Sequence, residues 1–245
     1  MYDDGKLENT LQEMKRLNIE VLGISEMRWP LSGRKVVDDY VVYYAGEDGR
    51  HHRNGVAIIV SGEVDRAVKN VVPVSDRIML MQINAVPFGL NIIQVYAPTA
   101  ACAEEEIDNF YDCLSDVMEK MKRKGVTVLM GDLNAKVGSG RVGRTVGDFG
   151  LGERNERGDR FVEFCAGYGL AIMNTFFELP KRRLYTWKSP ADAPDRVVRN
   201  QIDFFTIQQR YRNAVRSVRA CPGADVCSDH VLLMAQFVLR LKMAS

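Results

Sequence analysis

Three acids stand at the end of an apolar strand pattern or in the turn beside one: Glu26 in LGISEMRW, Asp132 in VLMGDLN and Asp229 in VCSDHVLLM. Rigid scaffolds present functional groups from such places. A carboxylate next to a buried strand needs solvent, a cation or hydrogen bonds. In G-D-L-N, Asp132 and Asn134 are two apart, so on extended backbone they face the same side. Their hard oxygens suit Mg²⁺ or Mn²⁺. An Asx-turn bent at Gly131 accounts for the same residues equally well. His230 follows Ser228 and Asp229 at the start of an apolar run. An imidazole held there can act as general base or as a hydrogen-bond donor to phosphate. Asp203, in NQIDFF, is an acid within an otherwise apolar strand, a setting in which a carboxylate often orients a histidine. His51 and His52, in GEDGRHHRNG, read as solvated loop residues.

The elements that must carry these groups follow from periodicity. Lys6–Leu17 places Leu7, Leu11, Met14 and Leu17 on one helical face. The stretch from Glu104 to Lys124 is the longest helix, with a stripe of Ile107, Phe110, Tyr111, Leu114, Val117, Met118 and Met121, and Gly125 ends it. Acids lead and bases trail in it, as the helix dipole prefers. Strands are predicted in IEVLGIS, Tyr40–Ala45, Gly55–Val60, Ile78–Ala85, Leu90–Tyr96 and VTVLMGDLN. Residues 138–158, rich in Gly and Arg, read as a surface loop before a short helix marked by Phe161, Phe164, Cys165 and Tyr168. LAIMN, LYTW, QIDFFTI and VLLMAQFVL complete the strand set. Strands mixed with a few helices over the whole length predict an α/β sandwich.

Charge is unevenly spread. Residues 1–135 hold 15 Lys/Arg against 21 Asp/Glu, and residues 136–245 hold 18 against 11. A basic half fits a phosphate-bearing partner, because cations displace counterions condensed on nucleic acid. Five cysteines without a C-x-x-C suggest neither a disulfide framework nor a zinc site, and point to the cytosol or nucleus. No signal peptide or membrane-length apolar run is evident, so no membrane partner is expected. The chain is expected to form a single domain over 1–245.

The order of Glu26, the Y-A-P at Tyr96, G-D-L-N, Q-I-D and S-D-H resembles the endonuclease/exonuclease/phosphatase superfamily, which includes apurinic/apyrimidinic endonucleases and deoxyribonuclease I-like nucleases. ENTLQEMKRLNIEVLGISEMRW, IIQVYAPT, GDLNAKVG, TWKSP and RNQIDF are similar to the endonuclease domain of RTE-type LINE retrotransposons. The resemblance implies a four-layer α/β sandwich of the deoxyribonuclease I kind and Mg²⁺- or Mn²⁺-dependent nicking of DNA. In that reading Glu26 binds the metal and Asp229 supports the metal site. Tyr96 bonds the scissile phosphate, Asp132 orients or deprotonates the attacking water, and Asn134 contacts phosphate or helps position that water. Asp203 orients His230, which stabilises the charge developing on phosphate. These groups are expected to converge at one end of the sandwich. Arg182, Arg183, Trp187 and Lys188 fall where loops of the family meet nucleic acid, with core packing the alternative for Trp187. Arg141, Arg144 and Arg154 are further candidates for the same groove.

Family members open with a strand bearing a W-N motif, for which this sequence offers no counterpart ahead of Lys6. The resemblance therefore implies a missing first strand, weakened nicking, and self-association through the strand edge near Val231–Leu239, which carries no charge before Arg240. Two other readings stand beside the endonuclease: an impaired domain recruited to bind nucleic acid or protein, and a phosphatase for a smaller substrate.

Overall fold

A computed structural model describes residues 4–47, 54–86, 88–121, 125–193, 195–225 and 228–238. His51, His52, Pro87, Cys227 and Arg240 lie outside the described residues. The chain divides into two compact units, one running through Asp132 and the other made of nearly all that follows.

The first unit begins with helix α1 (Asp4–Leu17), followed by strands β1 (Val21–Ser25), β2 (Ser32–Val37), β3 (Tyr40–Ala45) and β4 (Val56–Ser61). These strands form a sheet in the order β1-β4-β3-β2, antiparallel throughout. A single helical turn, α2 (Gly62–Asp65), capped by the Ser61 hydroxyl, leads into β5 (Val68–Ser75), β6 (Ile78–Ile83) and β7 (Leu90–Tyr96). Helix α3 (Glu104–Met121) then connects β7 to β8 (Val126–Asp132), which pairs with β7 in parallel.

Strand alternation sorts this unit into layers. Val41, Ala45, Val56, Ile58 and Val60 of the first sheet pack against Met79, Met81, Ile83, Ile92 and Tyr96 of the second. Neighbours of opposite parity, Val42, Ala57 and Ile59, face outward and meet Leu7, Leu11 and Met14 of α1. On the far side of the second sheet, Gln82 Nε2 donates to Met121 Sδ of α3 at 3.5 Å. The sequence of layers is helix, sheet, sheet, helix, in agreement with the expected sandwich. Burying each of these large apolar side chains stabilises by about 1.5–3 kcal/mol.

In the second unit α4 (Glu156–Gly167) starts at the Asn155 cap, whose side chain accepts from Gly158 N and Lys136 N. β9 (Leu170–Ile172) pairs with β12 (Asp203–Gln208). The hairpin β10 (Trp187–Lys188) and β11 (Arg199–Asn200) lies between them in sequence, and β13 (Val215–Ala220) pairs with β14 (Leu233–Phe237). Phe204 and Phe205 leave opposite faces of β12: the first packs on Phe161 of α4 at 5.4 Å between ring centres, the second on Phe237 of β14 at 5.9 Å.

Several expectations shift. β2, β5 and β13 are strands that hydrophobic patterning missed, because Arg34, Lys35, Lys69, Asn70 and Arg216 stand among their apolar residues. LYTW contributes only its Trp187 to a strand, and LAIMN turns into a short 3₁₀ helix at Met173. The helix expected near Phe161 begins at Glu156, inside the stretch read as loop. VLLMAQFVL is a strand only over Leu233–Phe237. Among the described residues no helix is long and apolar enough to cross a membrane.

Candidate active site

In the first unit the C-terminal ends of β1, β7 and β8 present Glu26, Tyr96 and Asp132. Tyr96 pairs in register with Asp132, and Ala97 N donates to Asp132 O at 2.8 Å. Tyr96 Oη donates to Glu26 Oε1 at 2.9 Å, while Arg28 Nη2 donates to Glu26 Oε2 at 2.6 Å. Glu26 sits at φ +55, a left-handed conformation that turns the chain sharply out of β1. Asp132 is only 2% exposed.

Tyr96 is held from behind by Arg77. The guanidinium lies 5.2 Å from the ring centre, Nη1 donates to Tyr96 O at 3.3 Å, and Nη2 donates to Glu106 Oε1 at 2.6 Å. Burial pushes the Tyr96 phenol well above its ordinary pKa, and the negative charges of Glu26 and Asp132 push the same way against a smaller opposing pull from Arg77. Tyr96 is therefore a neutral hydroxyl donor. Two acids beside one such donor give a set of hard oxygens that fits a small divalent cation.

The second unit builds a histidine–carboxylate pair. His230 Nδ1 lies 2.9 Å from Asp203 Oδ2. Asp203 opens β12, where Thr186 Oγ1 accepts from both Ile202 N and Asp203 N at 3.0 Å. Asn174 bonds the same strand twice, donating to Asp203 O and accepting from Phe205 N. His230 is fixed through its backbone by a bridge to Trp187 and by donation from its N–H to Ser228 Oγ. A carboxylate on Nδ1 fixes the orientation of the ring.

The residues that carry these groups run from Glu26 to His230, and the model of the endonuclease/exonuclease/phosphatase family matches residues 2–230. The chain belongs to the endonuclease/exonuclease/phosphatase family. It is 45% identical over 239 residues to craniofacial development protein 2 of Bos taurus and 44% identical to that of Tragulus javanicus. Each match covers 98% of this chain, which spans about two-fifths of the length of these curated relatives (40% and 41%). Among solved structures it is similar to the endonuclease domain of TRAS1, a telomere-specific non-LTR retrotransposon, at a TM-score of 0.68 and 15% identity, covering 98% of this chain and 95% of that one. The 3′ phosphatase NExo from Neisseria bound to product DNA hairpin also gives 0.68, at 16% identity, covering 96% and 95%. An AP endonuclease from Archaeoglobus fulgidus gives 0.67 at 16% identity, covering 95% and 94%. The fold is that of this family of phosphate-ester hydrolases, as the sequence led us to expect.

Against the family pattern, the remaining site candidates occupy varied settings. Asn134 has φ +47, so G-D-L-N is not extended there and the argument that placed Asp132 and Asn134 on one side does not hold. Asp229 is engaged by Trp187, whose indole N–H donates to Oδ2 at 2.9 Å. Trp187 is half-buried in β10, neither core nor free surface. Lys188 is exposed and lies 3.7 Å from Asp192, which Arg199 also pairs. Arg182 and Arg183 are exposed on a 3₁₀ turn after Pro180. Arg141 pairs with Asp148, and Arg154 donates to Val137 O, so both tie their own loop together. Sequence reasoning missed Ser25, Arg77, Asn174 and Thr186, which hydrogen-bond to candidate residues 17 to 107 positions away, and Gln94, which bonds Ser25.

Proposed function

We propose that this chain is an endonuclease domain of the retrotransposon type that hydrolyses a phosphodiester of DNA with the help of Mg²⁺ or Mn²⁺, acting as one domain in the nucleus or cytoplasm. The observation that carries the reading is the Tyr96–Glu26 hydrogen bond beside the buried Asp132 carboxylate, because it sets acid oxygens and a neutral donor together at strand ends. Family membership and the nuclease and phosphatase neighbours support hydrolysis of a phosphate ester. The basic balance of residues 136–245 favours a polyanionic substrate over a small one.

Glu26 would hold the cation, with Asp132 adding negative charge nearby. The bound cation supplies positive charge for the oxygens of the reacting phosphate. Asp132 orients the attacking water, or takes its proton. Asn134 helps position that water or contacts the phosphate. Tyr96 stays protonated and donates to phosphate. His230, oriented by Asp203, donates from Nε2 in its imidazolium form to the negative charge that builds on the phosphate as water adds. Asp229, which accepts the indole N–H of Trp187, would support the metal site. Exposed Arg182 and Arg183, with Trp187 and Lys188, supply contacts to the DNA backbone.

The test is nicking of supercoiled plasmid with Mg²⁺, with chelator, and with His230→Ala. We expect nicking that needs the metal and is lost in the variant. Equal background in the wild type and the variant overturns the reading and leaves a binding domain.

A further inference from the structure

One buried amide lies beneath the Glu26, Tyr96 and Asp132 ends. Gln94 of β7 is 1% exposed. Its Nε2 donates to Ser25 Oγ at 3.2 Å and to Val95 O at 3.3 Å. The slot that receives it is made by two glycines on the flanking strands. A Cβ at Gly23 of β1 would overlap Gln94 Oε1, and one at Gly131 of β8 would overlap Val95 O and crowd Gln94 Nε2. The three strands can close around this amide only because both positions lack side chains.

Ser25 is the other half of the arrangement. Its hydroxyl donates to Val95 O at 3.2 Å and accepts from Gln94 Nε2 at 3.2 Å and from Asp132 N, more loosely, at 3.4 Å. A serine hydroxyl has one proton and two lone pairs, so its capacity is filled. The bonds join β1, β7 and β8 immediately below the residues that follow or end those strands. A shift of the hydroxyl moves the Asp132 backbone and the exit of β1 toward Glu26 together.

We infer that Ser25 and Gln94 are positioning residues for the candidate site, setting the spacing between the Glu26 and Asp132 carboxylates that a cation and water must share. The inference rests on the endonuclease reading above for its chemistry, and on the hydrogen bonds for its geometry. Ser25 touches no substrate atom in this role. Misplacement of reacting groups by about 1 Å can cost on the order of 100-fold in rate.

The experiment measures two quantities for the whole chain: Mn²⁺ affinity without DNA, by the loss of the free-ion paramagnetic signal, and nicking of plasmid. Ser25→Ala removes the hydroxyl and Ser25→Thr keeps it. Gln94→Met keeps the amide's length without its donors and serves if Ser25→Ala does not fold. We expect Ser25→Ala and Gln94→Met to weaken Mn²⁺ binding and to lower kcat by on the order of 10- to 100-fold with KM little changed, and Ser25→Thr to restore both. Unchanged affinity and rate in Ser25→Ala overturn the inference. So do equal losses in Ser25→Ala and Ser25→Thr, since the hydroxyl would then not be what matters. If the wild type does not nick but Ser25→Ala still weakens Mn²⁺ binding, the positioning role stands and the endonuclease reading falls.

Discussion

His230 Nδ1 meets Asp203 Oδ2 at 2.9 Å, and both residues are held at their backbones by the same short stretch of chain: Thr186 bonds Asp203 N, and Trp187 bridges His230. The ring is thus oriented by a carboxylate that is itself anchored. Asp203→Asn keeps the shape of the side chain but reverses or removes the polarity that Nδ1 depends on. We expect nicking to fall by on the order of 10²–10⁴-fold with the fold intact. Plasmid nicking and circular dichroism on the same preparations check this. A full rate in Asp203→Asn would remove His230 from the chemistry.

Thr186 is fully buried and accepts from Ile202 N and Asp203 N at once. Thr186→Val fills the same space and leaves two part-buried N–H groups without that acceptor. The expected cost is about 1–3 kcal/mol for each donor left unsatisfied. Urea unfolding of the variant measures it. Stability equal to wild type would mean that another acceptor takes over both donors.

Much of the fold is legible in the chain, and the reason is physical. Helix α3 and strands β3, β4, β6 and β7 each bury a continuous or alternating apolar set, and such sets report their own element. β2 and β5 end their sheets, where Arg34, Lys35 and Lys69 are exposed and guard the edge, so their patterns carry no such signal. The candidate site divides in the same way. Acids that interrupt apolar runs, Asp132 and Asp203, announce themselves. The bonds of Ser25, Gln94, Thr186 and Asn174 do not, because a hydroxyl or amide in a strand has many uses and only the folded register selects one. Asn134 shows the limit from the other side: the left-handed turn it occupies cannot be read from spacing.

The Tyr96 phenol is raised by burial first and by Glu26 next, so the folded chain keeps a proton that the unfolded chain releases near the ordinary tyrosine value of about 10. The sign follows. Below that value the group adds no pH dependence, and as the pH rises above it the unfolded state gains and stability declines until the folded phenol also ionises. Tyr96→Phe should remove this part of the alkaline decline. Comparing urea midpoints of the two chains across alkaline pH checks it. Parallel curves would show that the phenol titrates alike in both states.

Arg182 and Arg183 sit side by side on the 3₁₀ turn Lys181–Arg183, exposed and adjacent in sequence to the strand that carries Trp187. Among the described residues neither makes an ion pair, in contrast to Arg199 and Lys188, which share Asp192. A guanidinium not committed to a protein carboxylate can bind phosphate without first breaking a pair, and each phosphate so bound releases condensed counterions. Binding of a DNA duplex should therefore weaken with salt. In the double variant Arg182→Ala/Arg183→Ala the slope of log affinity against log salt should flatten by roughly one unit for each phosphate that is no longer gripped. Lys188→Ala should change the slope less, because Asp192 already competes for that charge. Fluorescence anisotropy over a salt series, with chelator present to prevent cleavage, measures all three slopes. If the double variant keeps the wild-type slope while Lys188→Ala loses a full unit, the DNA backbone runs along the β10–β11 hairpin and not along the 3₁₀ turn.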